Sequence, residues 1–155
     1  MPGRRNAGVT VTAMRRGFTL VETLLVIAIM AIVTAAAGPR LGSLLDRQRV
    51  SAAASAIVDA HTRARIRAVL ESRVTLLDVR ADSIILSVSV PGGSTPVWSA
   101  PGPATHGVTL TAPSRSVTFA PTGIAMGVSN VTFTLTRGTA TKRVVVSRLG
   151  RVRVQ

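Results

Sequence analysis

The chain has 155 residues, with 19 Lys+Arg against 6 Asp+Glu for a formal net charge of +13, and no cysteine. Disulfides and cysteine-ligated metals are therefore excluded, and the length allows one small domain with a core beyond any membrane segment, not two. Eighteen of the nineteen basic residues are Arg, and residues 40–155 alone carry fifteen basic and five acidic side chains, a net +10. Such a domain attracts polyanions, namely nucleic acid, anionic headgroups or an acidic protein surface, unless the Arg content merely follows genome composition.

Residues 1–17 (MPGRRNAGVTVTAMRRG) are polar, basic and without periodicity, and are predicted to be a disordered leader. Phe18 to Ala37 is a run of twenty residues, FTLVETLLVIAIMAIVTAAA, apolar or nearly so except for Glu22. As a helix at ~1.5 Å per residue it would be about 30 Å long, the thickness of a bilayer's hydrocarbon core. An ionised acid there costs ~2.5–3.5 kcal/mol on insertion scales, so Glu22 is expected to have a partner. A secretory signal cut after Ala37 is the competing reading, but the run is long for a signal core and contains an acid. Arg4, Arg5, Arg15 and Arg16 precede the run, and Arg40, Arg47 and Arg49 follow it, a small bias toward a cytoplasmic N-terminus.

Gly38-Pro39 follows, and Pro39 is expected to kink the helix or interrupt it for a turn. Helical composition then runs from Leu41 to Ser72. At 100° per residue Val50, Ala53, Ile57, Ala60, Ala64 and Ala68 form one stripe, with Gln48, Ser55, Asp59 and Thr62 opposite. Small residues on that stripe suit close packing of a helix onto a sheet. Ile66 and Leu70 fall off it and mark a second contact surface.

From residue 74 the pattern becomes β. Val74–Val79 and Ser83–Val90 are rich in β-branched residues, with Arg80-Ala81-Asp82 as a tight hairpin between them. Residues 91–107 hold four Pro and four Gly and are predicted to be a loop, which Trp98 pins to the core. Strands are predicted at Val108–Thr111, Ser116–Ala120, Asn130–Thr136, Lys142–Ser147 and Arg151–Val154, with a turn at Leu149-Gly150. Short spacings without helical windows imply antiparallel pairing. The fold class is α+β: residues 18–37 a transmembrane helix, 38–73 its soluble continuation, and 74–155 an antiparallel β domain.

Catalytic constellations are absent from the sequence. His61, at the edge of the helical stripe, reads as a packed surface residue, and His106 lies in the Pro/Gly segment. No zinc-protease, nucleophile-elbow, P-loop or dinucleotide pattern occurs. Asp78 and Asp82 flank a turn, where Asp has ordinary structural reasons to be. A non-enzyme with no cofactor and no metal site is expected.

Arg15-Arg16-Gly17-Phe18-Thr19-Leu20-Val21-Glu22, followed by the apolar run, resembles the processing signal of type IV pilins and type II secretion pseudopilins. The resemblance implies a pilin-like fold and a membrane prepilin peptidase that cuts after Gly17 and methylates the new N-terminus at Phe18. Translation from Met14 would leave a four-residue leader. Cleavage would create an ammonium at Phe18, one helical turn before Glu22. In a bundle of parallel helices, Glu22 of one subunit would then pair with the Phe18 ammonium of its neighbour and set axial register.

The segments Ser116–Gly123 (SVTFAPTG) and Arg143–Val152 (RVVVSRLGRV) resemble the C-terminal domain of GspH/FimT-type minor pseudopilins, where an F-x-P-x-G turn and a terminal V-V-V-S-x-x-G-R hairpin recur. This implies a minor subunit of a hetero-oligomeric filament, anchored in the bacterial inner membrane by a single pass with its C-terminal domain in the periplasm. Two functions stay open within that resemblance. One is a filament subunit of a type II secretion system. The other is DNA binding for uptake by a minor type IV pilin, because Gly150-Arg151-Val152-Arg153 matches a G-R-x-R element. Arg151 and Arg153 would share one strand face, joined by Arg148 and by Lys142 and Arg143. No aromatic is interleaved there, so DNA binding would be independent of sequence.

Overall fold

The computed structural model of the chain describes residues 18–112, 116–127 and 130–155; the predicted leader, with Gly17 of the processing site, lies outside the described residues. One helix, α1 (Leu20–Leu70), precedes nine strands: β1 (Thr75–Val79), β2 (Ser83–Val90), β3 (Gly93–Pro101), β4 (Thr109–Thr111), β5 (Ser116–Phe119), β6 (Ala125–Met126), β7 (Asn130–Arg137), β8 (Ala140–Ser147) and β9 (Val152–Val154). The chain forms two separate compact units, divided after Gly38.

In the first unit the helix is capped by Thr19, whose hydroxyl accepts a hydrogen bond from the Glu22 backbone N–H at 3.2 Å. Thr and Glu three apart at a helix start are a capping-box pair, and an acid in the first turn complements the helix dipole. Thr23 and Thr34 donate their hydroxyls to the carbonyls of Thr19 and Met30, four residues back. These hydroxyls are therefore satisfied within the helix, and the apolar stretch lies exposed, with a mean hydropathy of 2.4. It is long and apolar enough to cross a membrane by itself.

The helical assignment passes through Gly38 and Pro39, so the interruption expected at Pro39 is absent. Proline removes one helical hydrogen bond, here to the Ala35 carbonyl, and long helical flanks on both sides carry that cost. The predicted stripe is the buried face: Val50, Ala53, Ile57, Ala60, Ala64 and Ala68 are at most 1 % exposed, with Ala54 beside them. The helix ends earlier than Ser72, in a Schellman turn. Arg73 N–H bonds to the Ala68 carbonyl, Ser72 N–H bonds to that of Val69, and Ser72 itself is left-handed at φ 50°.

Two antiparallel sheets pack on this face in one apolar cluster, in orders β3-β2-β1-β5-β6 and β4-β7-β8-β9. The hairpin of β1 and β2 closes at Val79↔Ile84 as expected from Arg80-Ala81-Asp82. β1 is tied to the helix by Thr75, whose buried hydroxyl donates to the Ala64 carbonyl at 3.0 Å. β5 lies beside β1 (Thr75↔Phe119), a pairing across more than forty residues.

The loop expected at 91–107 is not a loop. Gly93–Pro101 is a strand paired along the whole of β2, and Pro103–His106 is a short 3-10 turn. Proline is tolerated because β3 is an edge strand, and Pro96 stands beside the bulge where the register shifts between Leu86 and Ser87. Trp98 is half-buried on that strand, its ring 5.5 Å from the Arg63 guanidinium carbon. The pair Ala125–Met126 makes a further short strand on β5, not among the expected strands and too short to leave a pattern in the sequence.

A polar strut joins the helix to the second sheet. Asp46 accepts from Arg137 Nε at 2.6 Å, and the same guanidinium donates to the carbonyls of His106 and Gly107 at 2.8 and 2.9 Å. Gly107 (φ +64) has no room for a Cβ, which would collide with that guanidinium. Asp46→Ala removes the acid partner of a half-buried Arg and is expected to lower stability by about 1–2 kcal/mol. Urea denaturation of the full chain in detergent, followed by Trp98 fluorescence, measures it.

Candidate functional site

The predicted functional residues fall into two places. Phe18 and Glu22 stand at the start of the apolar helix, both exposed, and Glu22 has no ion-pair partner among the described residues. The Arg residues of the C-terminal hairpin lie on the second sheet. β8 and β9 pair through Val144↔Val154, Val145↔Arg153 and Val146↔Val152. Paired residues share a face, and Val144 and Val146 are buried toward the helix, so Arg153 is on the outer face with Val145.

Arg143, Arg148, Arg151 and Arg153 are all exposed, and none has a carboxylate partner among the described residues. Lys142 is not part of that set. It is half-buried and donates to the Ser51 hydroxyl of the helix at 3.0 Å, because its position alternates onto the inner face of β8. Along the outer face of this sheet, Thr109, Thr111, Thr134 and Thr136 alternate with the buried residues of β7 and continue the polar surface.

The two C-terminal segments singled out in the sequence meet at the end of the helix. Phe119 packs edge-on against His61 at 5.0 Å between ring centroids. Gly123 (φ +76) lies against Val69 and Arg65, and a Cβ on Gly150 (φ +70) would stand 2.8 Å from the Gly123 carbonyl oxygen. The glycines of F-x-P-x-G and G-R-x-R are thus needed both for left-handed backbone and for close approach of the two turns. Beside them a groove of about 500 Å³ runs between the helix and the β8–β9 turn. His61, Arg65, Ile66, Leu70, Arg151 and Val152 line it.

His61 corrects the sequence reading. It is 2 % exposed, not at the surface, and neither ring nitrogen has a hydrogen-bond partner. Burial, and secondarily the Arg65 charge, lowers its pKa from 6.5 to about 4. Its spacing from Ile57, Ala64 and Ala68 is the three- and four-residue step of the buried face, a signal the sequence did carry. Among the described residues no group of three or more His, Asp or Glu is placed to hold a metal ion.

Two family models match the chain. One, described as the prokaryotic N-terminal methylation motif, covers residues 12–38 and so contains Gly17, Phe18 and Glu22. The other, described as type II transport protein GspH, covers residues 53–150, well over half of the chain. The chain belongs to the GspH family. No curated protein matches it. Among solved structures the fold is similar to the type IV minor pilin FimU of Pseudomonas aeruginosa, at 17 % identity and a TM-score of 0.61 over 72 % of this chain and 92 % of that one. It is also similar to the minor pseudopilin EpsH from the type 2 secretion system of Vibrio cholerae, at 10 % identity and a TM-score of 0.57 over 69 % and 96 %. The expected architecture, a long N-terminal helix packed on antiparallel sheet, is the fold shared with these two structures.

Among the described residues, His61 is a pH-sensitive group in the core of the GspH domain. The unfolded chain binds a proton on His61 near pH 6.5 and the folded chain near 4, so the stability present above 6.5 declines as pH falls through that window. At ~1.4 kcal/mol per pKa unit the loss approaches ~3 kcal/mol by pH 4. His61→Leu is expected to flatten the pH dependence of the denaturation midpoint between pH 6.5 and 4, as read by urea titrations at each pH.

Proposed function

We propose that this GspH-family chain is a minor pseudopilin: a non-catalytic subunit of a short filament in a type II protein secretion system, assembled with other pseudopilins. In this reading the prepilin peptidase cuts between Gly17 and Phe18 and methylates Phe18. The apolar helix then anchors the protein in the inner membrane by a single pass, with the β domain in the periplasm, until the subunit enters the filament.

The observation that carries this is Glu22. An acid stands on an uncovered apolar helix, without an ion-pair partner among the described residues, four positions after the residue that would become the new N-terminus. In a low-dielectric bundle an unpaired charge is expensive and a paired one directional. The Phe18 ammonium of a neighbouring subunit answers both conditions and fixes the axial offset between helices. The Thr19 cap gives Glu22 a local role as well, but a helix cap needs no surrounding lipid. Glu22→Ala is expected to leave processing intact and to abolish copurification with the other pilin-like subunits of the host. Normal copurification would contradict the assembly role.

A second reading has its own support. Arg143 and Arg153 on the outer face of the second sheet, with Arg148 and Arg151 exposed at the β8–β9 turn, form a cationic surface with no carboxylate partner among the described residues, suited to phosphate contacts in a minor pilin that takes up DNA. Such binding is sequence-independent and falls steeply with salt. If it operates, changing Arg151 and Arg153 to Ala lowers the salt slope by about two and weakens duplex binding in a salt-titrated assay. Absence of binding at low salt removes this reading.

A further inference from the structure

The groove at the end of the helix is apolar on one side and cationic on the other. Ile66 and Leu70 remain 52 % and 78 % exposed, although they extend the part of α1 whose other face is fully buried. Val152 closes the far wall, and Arg65 and Arg151 stand in the lining with no acid among the lining residues. Neither Arg has a carboxylate partner among the described residues, whereas the nearby Arg67 is paired with Glu71 at 2.6 Å. The Arg65 side chain runs past both turn glycines, Gly123 and Gly150, which leave space for its stem and hold it in the wall. The groove is therefore built by close packing, not left open by a loop.

We propose that this groove receives an apolar segment of a different, acidic filament subunit, with a carboxylate of that segment seated between Arg65 and Arg151. The inference deepens the filament reading above and rests on it. Charge decides the occupant. Residues 40–155 carry a net +10, so a second copy brings the same excess and is repelled, whereas an acidic subunit is attracted. Nucleic acid is a poor fit, because the ring in the lining, His61, is buried edge-on against Phe119 with no face free to stack a base, and Ile66, Leu70 and Val152 offer nothing to phosphates. An apolar anchor flanked by a carboxylate satisfies both walls at once, its apolar part against Ile66 and Leu70 and its charge against the two Arg.

The test places a photo-crosslinking residue at Leu70 of the full chain, co-expressed in membranes with the other pilin-like subunits of its host. The expected adduct maps within a few residues of an Asp or Glu on one of those subunits. Arg65→Glu with Arg151→Glu lowers its yield about tenfold or more, the equivalent of ~1.4 kcal/mol. Exchanging the mapped acid for Arg restores the yield. Where the paired Glu variant loses its fold by Trp98 fluorescence, Arg65→Gln with Arg151→Gln gives the same loss on a smaller scale. Adducts only to a second copy or to lipid, no adduct at all, or a yield indifferent to these Arg substitutions would each overturn the assignment. Copurification of the unaltered chain separates the two levels: if it persists without the adduct, the groove assignment alone falls, and if it fails, the filament reading falls with it.

Discussion

Four alanines set the distance between the helix and everything packed on it. Ala53, Ala60, Ala64 and Ala68 are at most 1 % exposed, and with side chains this short the strands come close to the helix backbone. That closeness lets the Thr75 hydroxyl reach the Ala64 carbonyl and lets Phe119 press edge-on against His61. One apolar cluster then serves both sheets, with Leu77, Ile84 and Phe119 from one and Phe133, Leu135 and Val144 from the other. A larger side chain at any of these alanines would overpack the site, a change that typically costs 1–3 kcal/mol in a filled core.

Where this packing ends, exposed apolar residues begin. Beyond Ala68 the helix closes in a Schellman turn, and the exposed Ile66, Val69 and Leu70 stand beside the β8–β9 turn. The two turn glycines, Gly123 and Gly150, bring the turns of both sheets to the same helical residues, Arg65 and Val69 for the first and Arg65 for the second. A groove of mixed apolar and cationic character follows from that convergence. On the outer face of the second sheet, the same alternation that buries Val144 and Val146 puts Arg143 and Arg153 in solvent. The basic excess of the domain thus sits partly on a flat polar face and partly at the rim of an apolar groove, and these two settings suit different partners.

Much of this was legible in the sequence because it rests on periodicity. The helical stripe, the β1–β2 hairpin and the strands of the second sheet follow from local spacing alone. What escaped did so for physical reasons. β3 was hidden by composition: Pro96 and Pro101 look like loop residues, yet an edge strand has one side that needs no N–H donors. β6 is two residues long, too short for any pattern. Of the kink or interruption expected at Pro39, no interruption occurs, because one missing hydrogen bond is outweighed by the flanking helix. Lys142 was grouped with the Arg residues by sequence proximity, while strand alternation turns it to Ser51 on the helix. The processing motif around Gly17, Phe18 and Glu22 was readable as a contiguous string. The groove was not, because Arg65 and Arg151 come together only through the fold.

The first unit follows a different logic. Its residues from Phe18 to Ala36 are exposed throughout, and its threonines satisfy their hydroxyls within the helix, so nothing among the described residues covers it. The central claim is that the acid in this segment is there to meet an amine that exists only after the leader is removed. Intact-mass and N-terminal peptide spectrometry of the membrane-extracted protein tests it most directly. The account requires a chain that begins at Phe18 and carries one added methyl group on its amine. A chain that keeps residues 1–17, or one cut after Ala37 and so deprived of the apolar helix, would contradict it.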